Sequence, residues 1–243
     1  MSYVLIIGAT SDMGKAIARE FAQQGYDLYL AARNSEVLTD FKQDLIVRSN
    51  RKIELIDFDL LKFDTHETIY NSLSEKPLGV ICVAGYMVDQ HIAEKSFEET
   101  EKTIHTNFTG NVNLLNIVAN DFEDRKSGFI IGISSVAGDR GRKSNYIYGS
   151  SKAAFTAYLS GLRNRLTESQ VHVMTVKPGF VYTKMTEGMD LPAKLTAQPS
   201  EVAEDVYNAH MKKKNVLYTK WMWKYVMLII NSIPEFIFKK LSI

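Results

Sequence analysis

Tyr148 and Lys152 stand four residues apart in Tyr148-Gly149-Ser150-Ser151-Lys152, at the start of a helical stretch. The i,i+4 spacing puts a phenol and an ammonium on one helix face. A free tyrosine has a pKa of about 10, too high for easy proton exchange at neutral pH. A neighbouring cation favours the phenolate and lowers that value. Reaching about 7 takes roughly 4 kcal/mol of differential stabilisation, at 1.36 kcal/mol per unit. Taken alone, a Tyr-x-x-x-Lys pair is common by chance. It gains meaning from Ser134-Ser135, which ends the preceding apolar run and so reaches the same edge of a sheet.

A second group of residues suits a phosphate. Tyr3-Val4-Leu5-Ile6-Ile7 runs into Gly8-Ala9-Thr10-Ser11-Asp12-Met13-Gly14, followed by the helical Lys15-Ala16-Ile17-Ala18. Glycines at a strand-to-helix turn let the backbone approach a pyrophosphate, whose charge is stabilised by the free amides and positive end of the helix. By themselves Gly8 and Gly14 would equally make a tight turn; on the first strand of an alternating pattern they read as nucleotide binding. The second strand ends in Ala31-Ala32-Arg33-Asn34. An acidic residue there would bond a ribose 2′-hydroxyl and repel a 2′-phosphate. Ala32 is neutral and Arg33 offers a planar fork suited to phosphate, which favours NADP(H) over NAD(H). The alternative is a solvated arginine at a strand end.

The elements that must position these groups follow from periodicity. Short apolar runs at 3–7, 27–31, 53–57, 80–83, 128–133, 172–176 and 216–218 read as strands. Helical patterns at 13–24, 35–49, 63–73, 97–121, 148–169 and 199–213 fill the gaps. This alternation predicts an α/β fold, a single doubly wound parallel sheet of Rossmann type covered by helices. No linker, repeat or low-complexity segment divides the chain. On such sheets ligands bind outside the carboxyl ends of the strands, which nominates the loops beginning near Gly8, Arg33, Asp59, Ala84, Ser134 and Pro178.

Composition narrows the classes. The chain has 243 residues, 45% hydrophobic, enough for a real core. Lys+Arg 29 against Asp+Glu 28 leaves a net charge of +1, which argues against sequence-independent nucleic-acid binding. A lone Cys82 excludes an intramolecular disulfide framework, and the five histidines show no metal-ligand spacing. No metal is expected. The first strand follows the N-terminus with no basic region or longer apolar core, so a secretory signal is not expected and the chain reads as cytoplasmic.

With these residues in place, the chain resembles the short-chain dehydrogenase/reductase family over roughly residues 3–219. The markers are Gly8…Gly14, Asp59-Leu60, Ala84-Gly85, Asn107-Phe108-Thr109-Gly110, Ser135, Tyr148-x-x-x-Lys152 and Pro178-Gly179-Phe180-Val181-Tyr182-Thr183. The resemblance implies that Tyr148 is the general acid, protonating a carbonyl oxygen while hydride arrives from the nicotinamide. It implies that Ser135 orients the same oxygen. Lys152 would lower the tyrosine pKa and bond the nicotinamide ribose, aided by the positive ring of the oxidised cofactor. Asn107 would hold a water that relays protons to the lysine. Val181 and Thr183 would hold the carboxamide, with Pro178 and Gly179 beside them, and Asp59 with Leu60 would border the adenine. The first turn, with Thr10, Ser11 and Met13, would carry the phosphates, and Ala84 and Gly85 the next loop. The resemblance further implies a homodimer or homotetramer joined through the long helices around Asn107 and Tyr148.

Two departures stand out: Asp12 replaces the family's middle glycine, and Cys82-Val83 replaces a polar Asn-Asn pair before Ala84-Gly85. A carboxylate beside a pyrophosphate is unfavourable unless it points away. The loop Gly138-Asp139-Arg140-Gly141-Arg142-Lys143 brings three cations near the site mouth. It is either a solvated loop or, through Arg140 and Arg142, a contact for a phosphate on the substrate. Tyr86, Met87 and His91 lie on the substrate side or in the core, and segment 186–198 has the position of the family's substrate lid.

Beyond the 1–219 domain, residues 220–243 are strongly apolar. They read as two short helices joined at a bend, where Ser232 and Glu235 fit a capping box. Lys224, Asn231, Pro234 and Glu235 break the run, so a membrane span is not expected. Three fates are open for the apolar face: packing on the domain, a subunit interface, or lying in a membrane surface, which Trp221, Trp223 and flanking lysines suit. Such tails resemble those of reductases acting on lipid-linked sugars, for example the decaprenylphosphoryl 2-keto-pentose reductases. Three functions are therefore carried forward. The first is an NADPH-dependent ketone reductase whose small-molecule or lipid-linked carbonyl substrate includes keto-sugars, at the inner face of a membrane. The second is a soluble reductase of fatty or aromatic carbonyls with the tail in oligomer packing. The third is a non-catalytic NADP(H) sensor or scaffold, which would need no proton-relay residues.

Overall fold

The computed structural model describes residues 2–241; Met1, Ser242 and Ile243, at the outer ends of the two expected units, lie outside the described residues. In chain order the strands are β1 (Tyr3–Ile7), β2 (Asp27–Ala32), β3 (Ile53–Asp57), β4 (Gly79–Cys82), β5 (Phe129–Ile133), β6 (His172–Lys177), β7 (Phe180–Val181), β8 (Thr196–Ala197) and β9 (Val216–Tyr218). Seven pair in parallel in the order β3-β2-β1-β4-β5-β6-β9, and β7 with β8 forms a separate parallel ribbon. The helices are α1 (Asp12–Gln23), α2 (Thr39–Ser49), α3 (His66–Ser72), α4 (Gln90–Ala93), α5 (Phe97–Ile104), α6 (Gly110–Arg125), α7 (Tyr146–Leu166), α8 (Pro199–Met211), α9 (Met222–Ser232) and α10 (Glu235–Phe238).

The uniformly apolar strands follow from burial on both faces. In β1, Val4 and Ile6 join Ile17, Phe21, Leu45 and Val206 in the layer under α1, α2 and α8. Tyr3, Leu5 and Ile7 point the other way, toward Leu114, Phe122 and Leu159 under α3, α6 and α7. Burying a side chain such as Leu114 or Phe122 completely stabilises the fold by about 1.5–3 kcal/mol each. The strand order reverses at β1, between β2 and β4, so the binding crevice opens at their carboxyl ends. There Gly8 takes φ +85°, and a Cβ on it would fall 2.6 Å from the Ala84 nitrogen. Only glycine lets the β1 and β4 loops close on each other.

The continuous helix expected over 97–121 is interrupted. α5 and α6 are separated by a π turn at His105–Thr109, centred on Asn107. A π turn admits one extra residue, and such turns concentrate at functional sites. The side-chain periodicity on either side survives it, so the sequence pattern reads straight through.

The tail is docked rather than free. Trp223 (4% exposed) and Met227 (1%) pack on Val136, with Phe180, Leu195 and Tyr218 around them. A Cβ at Gly179 would sit 1.9 Å from the Trp223 indole nitrogen, which donates to the Leu195 carbonyl at 2.8 Å. The buried stripe of α9 therefore takes the first of the three fates. Trp221, Tyr225, Leu228 and Ile229 on its other side stay exposed. The expected capping box does not form: Ser232 donates back to the Leu228 carbonyl at 2.7 Å, and Glu235 pairs with Arg140 at 3.0 Å. Among the described residues no helix is long and apolar enough to cross a membrane.

Candidate active site

Ser134 and Ser135 leave β5 with opposite duties. Ser134 is buried and bonds the Lys152 carbonyl at 2.9 Å and the Thr156 hydroxyl at 2.7 Å, locking β5 to α7. Ser135 faces the cleft, where its hydroxyl accepts from the Ala137 N–H at 3.1 Å and favours the Tyr148 phenolate. Tyr148, in the first turn of α7, lines the same cleft. Lys152, one turn on, is 3% exposed, its Nζ 5.9 Å from the centre of the Tyr148 ring and donating to the Ile133 carbonyl at 3.0 Å. Burial governs both groups. It pushes the Tyr148 phenol up to about 12, against the Ser135 contact, and the Lys152 ammonium down to about 8. The expected lowering of Tyr148 is thus outweighed in the chain itself, because desolvation of the phenolate exceeds the help from neighbours. A protonated Tyr148 is the form a proton donor needs.

Asn107 is fully buried, with both of its amide N–H groups bonded and one bond accepted at its oxygen. Its Nδ2 donates to the Tyr86 carbonyl at 2.7 Å and to the Ser151 hydroxyl at 3.0 Å, while Oδ1 accepts from the Tyr86 N–H at 2.8 Å. Both ends of the amide clamp the loop after β4 as a strand neighbour would. Asn107 thus positions that loop against α7, and its Oδ1 and the Lys152 Nζ both come close to Gly85.

Two clefts run along the carboxyl edge of the sheet. One, of about 230 Å³, is lined by Gly8, Thr10, Ser11, Arg33, Asp59, Leu60, Ala84 and Gly85, among others. The other, of about 390 Å³, is lined by Met13, Ser135, Tyr148, Pro178, Gly179, Val181 and Thr183, with further residues from the tail and the 138–145 loop. The turn opening α1 contributes to both, so it bridges them. Ser11 caps that helix, accepting from the Gly14 N–H at 3.0 Å. Gly14 itself borders neither cleft; it lies beneath the turn. The Asp12 carboxylate points away, accepting from the Lys184 N–H at 2.8 Å, 172 residues distant. The residue that breaks the family pattern therefore ties the first turn to the segment after β7. At the far end, Lys102 of α5 joins Arg33 beside neutral Ala32, close enough for the two cations to interact.

Two expected substrate contacts lie elsewhere. Tyr86 lines the smaller cleft; its hydroxyl donates to Glu99 at 2.6 Å and Lys102 stands 4.2 Å over its ring, so it turns toward α5. Arg140 closes the end of α9, donating to the carbonyls of Ile230 (2.5 Å) and Ile233 (2.7 Å), pairing with Glu235 and stacking 3.6 Å from the Phe238 ring centre. A cation at exposed helix-end carbonyls is stabilised by the dipole. Arg142, two residues on, does line the larger cleft. His91 is exposed and pairs with Glu94. The sequence reading missed Gln90, Asn145 and Trp223 as cleft residues and Lys102 as a partner of Arg33. No local pattern marks them, since each reaches its cleft through packing between distant segments. Among the described residues no group of His, Cys, Asp and Glu is arranged to hold a metal.

Comparison with known proteins places this geometry. A sequence profile described as short chain dehydrogenase matches residues 2–192. An uncharacterized oxidoreductase of Mycobacterium tuberculosis is 32% identical over 241 residues, covering 98% of this chain and 96% of that protein. Among solved structures, a short-chain dehydrogenase from Sphingobium yanoikuyae in complex with NADPH superposes with a TM-score of 0.83 at 24% identity, over 97% of each chain. Another, from Burkholderia cenocepacia in complex with NADP, gives 0.85 at 18% identity, covering 100% of this chain and 98% of that one.

Proposed function

The chain belongs to the short-chain dehydrogenase family, and on that premise we propose that it is an NADPH-dependent reductase converting a ketone to a secondary alcohol. One observation carries this reading: Tyr148 and Ser135 line one cleft and Arg33 and Lys102 a second, with the turn that opens α1 bordering both. The residues fit an extended dinucleotide. Gly8, Thr10 and Ser11 would take its phosphates, Asp59 and Leu60 would border the adenine, Arg33 would take a 2′-phosphate, and Val181 and Thr183 would hold the nicotinamide. When bound, the cofactor supplies hydride. Ser135 would donate to the ketone oxygen and orient it, and Tyr148 would pass its proton to that oxygen as charge develops. The buried Lys152 ammonium would then stabilise the phenolate that remains.

Cofactor choice tests the reading directly. Arg33→Ala should weaken NADPH binding about 10- to 100-fold, the loss of about 1.5–3 kcal/mol for a charge-assisted contact, and leave NADH binding unchanged. Fluorescence titration with each nucleotide measures both. Equal loss for the two would overturn the 2′-phosphate assignment.

We read the substrate further as an amphiphile met at a lipid surface, a class that includes a keto-sugar on a lipid carrier. Supporting this, α9 presents Trp223 to the cleft while Trp221, Tyr225, Leu228 and Ile229 face outward, with Lys220 and Lys224 on the same segment. Aromatic rings and lysines of this kind suit the headgroup region of an anionic bilayer. Removing residues 220–243 would strip Trp223 from the cleft wall and Met227 from the cluster behind it, so surface substitutions make the cleaner test. A Trp221→Ser, Leu228→Ser, Ile229→Ser variant should lose most co-sedimentation with phosphatidylglycerol-containing vesicles and keep its melting temperature. If the wild type stays in the supernatant and the substitutions instead dissociate a dimer, the face serves subunit packing.

A further inference from the structure

The larger cleft contains polar groups that neither the proton transfer nor the dinucleotide uses. Gln90, at the start of α4, is 5% exposed. Its Oε1 accepts from the Ile147 N–H at 3.1 Å, next to Tyr148, while its Nε2 forms no well-aligned hydrogen bond and has the Tyr146 hydroxyl as a neighbour. Arg142 has a buried Nε without a partner, and its Nη2 makes a weak contact to the Met227 sulfur at 3.4 Å. Asn145 has a buried Oδ1 without a partner. All three residues line the cleft that holds Ser135 and Tyr148. Buried polar atoms are nearly always paired, and leaving one unpaired costs about 1–3 kcal/mol. Three in one cleft beside the proposed proton donor mark a place where a polar ligand, or the ordered water it displaces, is stabilised.

The charges around Arg142 sharpen the point. Asp139 is near enough to act on it electrostatically, but that carboxylate is already bound by Lys177 at 2.5 Å and Tyr218 at 2.8 Å. Asp89 also lines the cleft, exposed to solvent and accepting from the His91 N–H at 2.8 Å. Arg140 is committed to the end of α9. Burial disfavours the Arg142 cation, lowering its pKa from the ordinary value. A cation held half-buried against Met227, with no carboxylate bonded to it, is offset by an anion entering the cleft.

Resting on the reductase reading, we propose that Gln90, Arg142 and Asn145 form a subsite for a phosphate group carried by the ketone substrate, set apart from the phosphate contacts of the cofactor. The donor and acceptor count selects phosphate over carboxylate. Gln90 Nε2 and Arg142 Nε donate, whereas Asn145 Oδ1 accepts. A hydrogen phosphate or phosphate monoester offers acceptor oxygens together with one hydroxyl; a carboxylate offers acceptors only. The planar guanidinium suits tetrahedral oxyanions for the same reason Arg33 does at the other end. The cleft's remaining wall of Met87, Val136, Phe180, Met185, Met189 and Trp223 would pack the apolar part of such a substrate.

The two tryptophans make a direct test. In a Trp221→Phe background Trp223, which lines the cleft, is the remaining tryptophan and reports on it. The titrants are inorganic phosphate and acetate, added with NADP+ saturating. Phosphate should give a saturable change in emission, with acetate at least ten-fold weaker. Arg142→Gln should raise the phosphate dissociation constant at least ten-fold, and Gln90→Leu and Asn145→Leu several-fold each. Arg142→Lys, which keeps the charge and guards against misfolding, should bind phosphate more tightly than Arg142→Gln and less tightly than the wild type. Arg33→Ala should leave it unchanged. The proposal is overturned by the absence of saturable phosphate binding, by binding indifferent to Arg142→Gln, or by binding lost in Arg33→Ala. Acetate binding as tightly as phosphate overturns the choice of phosphate. NADP+ binding is measured first in the same cell, so its failure counts against the reductase reading while the Arg142 series still reports on the subsite.

Discussion

Replacing Tyr148 with phenylalanine should lower the rate of NADPH-dependent ketone reduction by about 10²–10⁴-fold, the usual contribution of a positioned proton donor. That factor corresponds to about 3–5 kcal/mol of barrier. Phenylalanine keeps the ring that lines the cleft and removes only the hydroxyl, so NADPH affinity and melting temperature should not move. A carbonyl panel followed by NADPH absorbance, paired with nucleotide titration, separates the two effects. Turnover retained in the mutant would sink the mechanism. A wild-type pH profile adds an independent check. Tyr148, pushed up to about 12, stays protonated across the neutral range, while Lys152, pushed down to about 8, loses its charge as pH rises through that value. Reduction should therefore decline on an alkaline limb near pH 8, where the ammonium that stabilises the developing phenolate loses its charge. Lys152→Met should be slow at every pH and lack that limb.

The second large effect concerns stability. Asp139, between Ser135 and Tyr148, has side-chain exposure of 5% and holds Lys177 at the end of β6 together with the Tyr218 hydroxyl at the end of β9. Its charge also pushes the Tyr218 phenol up, after burial. Removing one partner of a buried pair leaves the other charge uncompensated, at a cost of about 3–5 kcal/mol. In a protein of this size Tm moves about 2–4 °C per kcal/mol, so Asp139→Ala should melt about 6–20 °C lower. Asp139→Leu combined with Lys177→Met should lose much less, because neither charge is then stranded. A double variant no better than the single would show that the pair is not what anchors the loop. The loop matters for function because it also carries Arg142 and Asn145 into the cleft.

How far the fold and site were legible depended on whether the informative contacts were local. The strands were readable because both faces of a parallel sheet are buried, which makes each strand a continuous apolar run. Tyr148 and Lys152 were readable because helical spacing alone puts them on one face. Gly8 and Arg33 were readable because chain order places both at carboxyl ends of adjacent strands. In contrast, the π turn around Asn107 depends on a clamp to Tyr86, 21 residues earlier. Arg140 sat in a basic loop suited to phosphate, and its partners lie 90 or more residues on, at the end of α9. Trp223 reads in the sequence as part of an apolar appendage, and the Gly179 and Leu195 that receive it lie 28 or more residues earlier.

The amino-acid order was thus sufficient for the doubly wound sheet, the Tyr148–Lys152 pair on one helix face and the glycine turn after β1, since each follows from periodicity or from spacing within one or two elements. Folding in three dimensions was needed to learn which cations are spent on holding the tail and which face the cleft. Arg140 and Arg142 are two residues apart with the same side chain. Their surroundings alone distinguish them: Arg140 meets the carbonyls at the end of α9, whereas Arg142 lines the cleft beside the Met227 sulfur. Both sets of partners come from a segment far away in the chain.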